Sequence, residues 1–316
     1  MAATPARPGD VRLPIPHLRT GTCSRLPACP TTTHNLRTRG NPAALRALIT
    51  RLATLLVLAA VLPGCAATHD QPPAPMDAHS HSRPDQVVVR HFDMDLRLDF
   101  ERRVVRGVAR LDIERKDPAA PLVLDAQGLL VEAVAGLDGG PRRFHQGPER
   151  DGLGGPLVVE LEPGDRAVRI AWSTTERADA LQWLSPAQTG DGVAPFLYTQ
   201  GQAVLTRTWI PSQDSPGVRA TWEARVEAPP GIEVVMSAER RWRDPDGAFR
   251  FSLSRPVPAY LVALAAGRIE FRPVSARAGV WAEPGMLARA HAEFSDMEAM
   301  VGAAERLFGA YRWGRH

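Results

Sequence analysis

Residues 91–100 read His91-Phe92-Asp93-Met94-Asp95-Leu96-Arg97-Leu98-Asp99-Phe100, and from Phe92 onward apolar side chains occupy every second position. Side chains two residues apart lie on the same face of a β-strand. The alternation therefore predicts a strand with one face in a core and the other in solvent. A run of valines at residues 87–89 leads into this strand, and residues 104–114 predict a second one.

Short segments of the same kind continue along the chain and are separated by turn signals such as Asp244-Pro245-Asp246-Gly247. Gly, Pro and Asp favour turns, each for its own backbone reason. Many short strands at regular spacing predict an all-β domain of the sandwich or saddle kind over residues 85–272. The further strands are expected at residues 122–125, 129–134, 157–161, 167–173, 197–202, 220–226, 232–238, 248–255 and 260–266.

The apolar period changes to three and four in residues 286–308, which predicts one amphipathic helix that ends at Gly309. Glu298 and Glu305 are expected on its solvated face. A single helix after a β domain has little to bury its apolar face against. We therefore expect that a partner domain is missing from this chain.

The N-terminal part of the chain has the features of an export signal. Residues 1–44 are polar and Pro-rich and are read as a disordered leader. Residues 45–65 combine two Arg with an apolar stretch and end in Leu62-Pro63-Gly64-Cys65, which resembles a bacterial lipobox. This pattern predicts a lipoprotein with Cys65 as the lipidated N-terminus, an ordinary signal peptide being the alternative. We expect it on the periplasmic face of a bacterial membrane, with the outer membrane favoured.

The charge of the chain is divided unevenly. Residues 1–64 hold eight Arg and one acidic residue, whereas residues 65–316 hold 30 basic and 34 acidic residues, a net of about −4. A basic patch for nucleic acid is therefore not expected. No cysteine follows Cys65, so the folded part has neither a disulfide nor a thiolate metal site. Residues 66–84, including His79 and His81, are read as a flexible tether without a metal role.

Five sequence blocks follow one another in order along the chain. They are His91-Phe92-Asp93-Met94-Asp95-Leu96 with Arg106-Gly107, Leu122-Val123-Leu124-Asp125-Ala126-Gln127-Gly128-Leu129, Leu181-Gln182-Trp183-Leu184-Ser185-Pro186-Ala187-Gln188-Thr189, Tyr198-Thr199-Gln200-Gly201-Gln202-Ala203 with Pro211-Ser212-Gln213-Asp214-Ser215-Pro216, and Met236-Ser237-Ala238 with Pro256-Val257-Pro258-Ala259-Tyr260-Leu261-Val262-Ala263-Leu264. Together these blocks resemble the M1 peptidase family, in particular its leukotriene hydrolase and aminopeptidase N branches. The resemblance implies the N-terminal portion of a zinc aminopeptidase: a saddle of strands, then the start, strand and helix, of an α/β thermolysin-like catalytic domain at residues 273–316.

Two glutamines, Gln200 and Gln202, are the candidate site residues. In a strand they share one face, with Gly201 between them on the other face and permitting close packing. From the residues alone, two strand glutamines are more often structural amides. The resemblance implies that Gln202, and with it Gln200, faces substrate and accepts a hydrogen bond from the free α-ammonium of a peptide. Asp214 is read as a turn residue, and Ser212 and Ser215 have no histidine placed for a triad.

A catalytic zinc needs three protein ligands and an open position, and no His-Glu-x-x-His occurs in these 316 residues. The resemblance implies zinc and peptide N-termini as partners of the full-length enzyme. For this chain alone we predict no metal site, no catalytic residue, no bound zinc and no hydrolysis. The alternative is a non-catalytic β-domain lipoprotein that binds peptides or a partner protein; a structural envelope protein has no motif in its favour.

Overall fold

The computed structural model describes residues 77–313. The predicted leader (1–44), the signal peptide (45–65) with Cys65, and residues 66–76 of the predicted tether lie outside the described residues, as do residues 314–316.

A twisted seven-stranded sheet is the centre of the described part of the chain. In spatial order the strands are β12 (Arg240–Arg243), β13 (Phe249–Val257), β10 (Ala220–Glu227), β1 (Val87–Asp99), β2 (Val104–Arg115), β7 (Ala167–Thr174) and β4 (Leu129–Gly136). β1 and β10 run parallel, and every other neighbouring pair in this sheet is antiparallel.

The predicted alternation in β1 is confirmed. Met94, Leu96 and Leu98 are buried, whereas Asp93 and Asp95 are exposed. The buried face belongs to one continuous apolar cluster that also takes in Trp172, Trp209 and Trp222. Each fully buried side chain of this size contributes about 1.5–3 kcal/mol relative to exposure, so this face holds the sheet against the rest of the domain.

Two smaller sheets and a hairpin complete the β structure, which confirms the all-β prediction. A four-stranded sheet has the order β11 (Glu233–Met236), β14 (Leu264–Gly267), β9 (Phe196–Thr199) and β8 (Leu181–Leu184). A three-stranded sheet has the order β3 (Leu122–Ala126), β6 (Gly155–Val159) and β5 (Phe144–Gln146), and β15 (Glu270–Pro273) pairs with β16 (Gly279–Ala282).

Two predicted strands are shorter than expected. The strand predicted at 197–202 ends at Thr199, and only residues from Leu264 onward form the strand predicted at 260–266. Pro258 opens a 3-10 turn over Ala259–Leu261, in which the backbone N–H of Leu261 donates to the carbonyl of Pro258 at 3.1 Å. These backbone groups bond locally, so they are not available to a ladder.

Short or edge strands were missed by the alternation pattern. Strand β12 reads Arg-Arg-Trp-Arg and is exposed at all four positions, so it shows no buried face. It is held by pairing with β13 rather than by burial. The alternation pattern also missed β5, β8, β15 and β16, each three or four residues long, although the M1 resemblance implied strand structure where β15 and β16 lie.

The predicted single helix is two helices, α1 (Pro284–Glu293) and α2 (Met297–Phe308). The break falls at residues 294–296, where Ser295 and Asp296 are poor residues for a helix interior because their side chains compete for backbone groups. Neither helix contains a buried residue, as expected for an apolar face with little to pack against. No helix in residues 77–313 is long and apolar enough to cross a membrane.

The structure also differs from the expected domain edges. Residues 77–84 of the predicted tether pack on the domain, with Ser80 and Ser82 both buried. At the other end, the expected boundary at 272/273 falls inside β15, which pairs with β16. The folded unit therefore begins earlier than residue 85, and the hairpin joins both sides of the second boundary.

Candidate functional site

The two candidate glutamines lie in a loop that follows the end of β9. Gln200 and Gln202 are both exposed, and Gly201 between them is buried. Because neither residue is in a strand, the expectation that they share one strand face is wrong. Neither side-chain amide makes a hydrogen bond within the described residues, so both are open to a ligand.

Gly201 fixes the position of this loop through a close approach that no larger residue allows. A Cβ at residue 201 would lie 2.9 Å from the carbonyl oxygen of Tyr260 and 2.7 Å from Oγ1 of Thr206. The predicted close packing at this glycine is therefore present, against the 3-10 turn that precedes β14. The backbone N–H of Gln200 also donates to the carbonyl of Ala180 at 2.8 Å.

The chain then turns back into the core. The backbone N–H of Leu205 donates to the carbonyl of Gly201 at 2.8 Å, and a 3-10 turn follows over Thr206–Thr208. The hydroxyl of Thr208 accepts from the N–H of Ala180 at 3.0 Å and donates to the carbonyl of Leu205 at 2.8 Å. Both ends of the glutamine loop are thus bonded to the same neighbouring segment at Ala180.

Arg207, in the middle of this turn, is the largest fully buried charged side chain within residues 77–313, with 0% of the side chain exposed. Its Nη1 donates to the carbonyl of Leu153 at 2.8 Å, and its Nη2 donates to the carbonyls of His79 at 2.8 Å and Asp214 at 2.9 Å. Its Nε lies 3.3 Å from Oδ2 of Asp214, which also accepts from the backbone N–H of Arg207 at 3.1 Å.

A second buried carboxylate, Asp125, completes the cluster. Its Oδ1 lies 3.7 Å from Nη1 of Arg207. It accepts hydrogen bonds from the hydroxyl of Ser80 at 2.6 Å, the N–H of His81 at 2.6 Å and the N–H of Asp214 at 3.0 Å. Buried charges are tolerated when they are paired and hydrogen-bonded in this way. The cluster joins the segment 77–82 to the loop that carries the glutamines.

Burial raises the pKa of Asp214 to about 6, against the lowering by the N–H donors and charge of Arg207; the nearby Asp125 carboxylate adds to the increase. At the partly buried edge of the same cluster, the hydroxyl of Ser215 donates to Asp77 at 2.6 Å and is the main cause of the lowered pKa of Asp77. Asp214, read from the sequence as a turn residue, is buried and ion-paired with Arg207.

Gln213 bonds the first residues of the central strand β1, which precede its pairing with β10; that pairing begins at His91. The side chain of Gln213 accepts from the N–H of Val89 at 2.9 Å and donates to the carbonyl of Val87 at 2.8 Å. This amide therefore takes the place of a missing ladder partner, which is the structural use of glutamine.

Arg207 was not among the residues predicted from the sequence. The sequence around it offered a signal for a buried charge. Arg207 stands between two threonines in the segment from Leu205 to Ile210, whose other residues are apolar, and it precedes Asp214 by seven residues. Sequence alone does not say that these groups meet His79 and Leu153, which are distant along the chain.

A zinc site does not fit the described residues. Within residues 77–313, no three His, Cys, Asp or Glu side chains are grouped so that they would hold a metal ion. His81 has another role: its Nε2 lies 3.3 Å from the carbonyl of Gly154.

Comparison with known proteins identifies the fold. A family model described as the peptidase M1 N-terminal domain matches residues 88–261, more than half of the chain. The chain belongs to the M1 peptidase family. The match covers the seven-stranded sheet and the glutamine loop, so the resemblance stated from the sequence blocks is confirmed.

Relatives in the M1 family extend well beyond the matched region. Leukotriene A-4 hydrolase of Xenopus laevis is 32% identical over 252 residues, which are 76% of this chain and 41% of that protein. Aminopeptidase B of Mus musculus is 35% identical over 251 residues, 72% of this chain and 39% of that protein. The structure of yeast LTA4 hydrolase in complex with bestatin superposes with a TM-score of 0.72 at 30% identity, covering 78% and 39% of the two chains. The chain spans about two fifths of the length of these relatives.

Proposed function

We propose that this chain supplies the β-sheet wall of the peptide cleft of a zinc aminopeptidase, with Gln202 as the acceptor for the substrate's α-ammonium and Gln200 beside it. One observation carries the proposal: two exposed glutamine amides without intramolecular partners stand on a loop whose backbone is tightly fixed. Gly201 packs against Tyr260, and Thr208 bonds the loop to Ala180.

The chemistry suits an amine terminus. A carboxamide oxygen has two lone pairs, and an ammonium is a donor with no acceptor capacity. A hydrogen bond with one charged partner is stronger than a neutral one, although weaker than a full ion pair. Selectivity for a free N-terminus follows, because an acylated nitrogen carries no charge and retains a single N–H.

Zinc, where the family enzymes bind it, would polarise the scissile carbonyl and activate a water molecule. The described residues do not fit such a site, and the sequence contains no His-Glu-x-x-His. We therefore propose that these 316 residues alone bind no zinc and hydrolyse no peptide. One equivalent of zinc by elemental analysis, or turnover of an alanyl-anilide, would contradict this.

The glutamine assignment is tested by titrating the full chain with trialanine. NMR signals of the side-chain amides report the binding. We expect millimolar binding that shifts the Gln202 amide, is lost in Gln202→Ala and is lost when the peptide is N-acetylated. The control is Gln182→Ala, an exposed glutamine of β8 whose amide donates to Asp179 at 3.0 Å; it should bind normally. Equal binding of the acetylated peptide, or no shift at millimolar peptide, contradicts the assignment.

The export proposal concerns residues 45–65 and Cys65. We propose that the chain is cleaved before Cys65, lipidated there and retained on the periplasmic face of a bacterial membrane, the outer membrane being favoured. Mass spectrometry of the protein from a bacterial host should show a lipid-modified Cys65 at the N-terminus. Cys65→Ser should leave uncleaved precursor. A mature protein with an unmodified N-terminus elsewhere contradicts this.

A further inference from the structure

A small cavity of about 20 Å³ lies inside the domain, between β1, β10 and the segment that follows the glutamine loop. Its wall is mainly apolar and includes Met94 of β1 and Ala220 of β10. It also includes three residues with polar side chains that neither the fold nor the proposed function explains: Thr206, Ser212 and Trp222.

Each of these three residues carries a buried polar atom without a hydrogen-bond partner among the described residues. The atoms are Oγ1 of Thr206, Oγ of Ser212 and Nε1 of Trp222, and each residue is 1% exposed. Most buried polar side-chain atoms in folded proteins have a protein or water partner, so three orphans around one cavity require an explanation.

The volume of the cavity and the polar atoms in its wall both fit one bound water molecule. A buried water needs about 10–15 Å³ of such space and usually two to four polar partners. The indole N–H of Trp222 only donates, and the two hydroxyls donate or accept. The oxygen of one water accepts hydrogen bonds from the indole N–H of Trp222 and from one of the two hydroxyls. The same water then donates one of its own hydrogens to the oxygen of the other hydroxyl.

We propose that this cavity is a structural water site, in which one ordered water bridges Thr206, Ser212 and Trp222. The cavity is too small for an organic ligand, and its polar atoms are neutral, which disfavours an ion. The water joins the 3-10 turn after the glutamine loop to the central sheet. This inference does not depend on the proposed peptidase role.

Thr206→Val in the full chain tests the site through the sign of its effect. If the water is present, valine removes one of its partners and Tm falls, by about 2–4 °C for a domain of this size and a loss near one hydrogen bond. If the cavity is dry, valine removes an unmet hydroxyl and Tm stays or rises, which overturns the proposal.

The matched control is Thr208→Val in the same turn. Its hydroxyl bonds directly to Ala180 and Leu205, so its Tm should fall whether or not the cavity holds water. A crystal structure of the unmutated chain provides a second measurement that needs no variant to fold. It should show one density peak within hydrogen-bonding distance of Oγ1 of Thr206, Oγ of Ser212 and Nε1 of Trp222, and a cavity without density overturns the proposal.

Discussion

Arg207 and Asp214 form a buried ion pair in which Nε lies 3.3 Å from Oδ2, with the two side chains 0% and 1% exposed. The pair closes the segment from Arg207 to Asp214, which follows the glutamine loop. Since Arg207 also bonds to the carbonyls of His79 and Leu153, three separate segments depend on one guanidinium.

Replacing Arg207 by Met should destabilise the domain by about 3–5 kcal/mol, because the carboxylates of Asp214 and Asp125 lose their buried counter-charge. Urea unfolding of the full chain measures this. Arg106→Met is the control, since Arg106 is exposed and makes no ion pair within the described residues; it should change stability by less than about 0.5 kcal/mol. Similar effects of the two substitutions would contradict the role of Arg207.

Asp214 should give the domain a pH dependence of unusual sign. Its native pKa of about 6 lies above the ordinary 3.8, so between these values the native state holds a proton that the unfolded state releases. The contribution of Asp214 to the free energy of unfolding is therefore complete below about pH 4 and is lost as pH rises through 6. The loss is on the order of 3 kcal/mol by the free energy of a pKa shift.

Asp214→Asn tests this dependence, because asparagine does not titrate. The stability of the unmodified protein relative to the variant should decrease between pH 4 and pH 7, measured by urea unfolding at each pH. Carboxylates that do not interact with Asp214 cancel in the difference. Parallel pH profiles for the two proteins would show that Asp214 titrates normally.

Gly201→Ala should distort the glutamine loop, since the added Cβ would lie 2.9 Å from the Tyr260 carbonyl oxygen. Overpacking of this kind typically destabilises by about 1–3 kcal/mol. Gly217→Ala is the matched control, because its nearest neighbour would lie at 3.7 Å, an ordinary contact. Amide chemical shifts around residue 200 should change in the first variant and not in the second.

Arg277 should anchor α2. Its Nη atoms donate to both carboxylate oxygens of Glu305 at 2.7 and 3.0 Å, and its Nε donates to Glu298 at 2.9 Å. The two glutamates expected on a solvated face are thus ion-paired. In Arg277→Met, amide hydrogen exchange in residues 297–308 should accelerate. Arg306→Met is the control, because Arg306 is exposed on the same helix without an ion pair in the described region.

The same anchor has a defined pH range. Hydrogen bonds from Arg277 and from the backbone N–H of Tyr311 lower the pKa of Glu305 from 4.5 to about 2. The stabilisation is therefore present above pH 4.5 and is lost as pH falls toward 2. Exchange protection of α2 should therefore persist at pH 4. Loss of protection already at pH 6 would contradict the assignment.

The local pattern of apolar residues was sufficient to predict a strand where one face of that strand is buried along its length. The alternation around Met94, Leu96 and Leu98 predicted β1, and its partner strand followed in the same way. It failed where pairing or local bonding decides the structure, as in β12, whose four residues are all exposed, and at residues 294–296, where the helical period continues through a break.

The sequence by itself determined the β class, the central strands and the family, because side-chain alternation and ordered blocks are local properties of the chain. Only the tertiary structure decided that Gln200 and Gln202 are exposed in a loop, and that Arg207 joins His79, Leu153 and Asp214. A buried charge is stable only where distant segments supply its partners, and no local pattern contains that information.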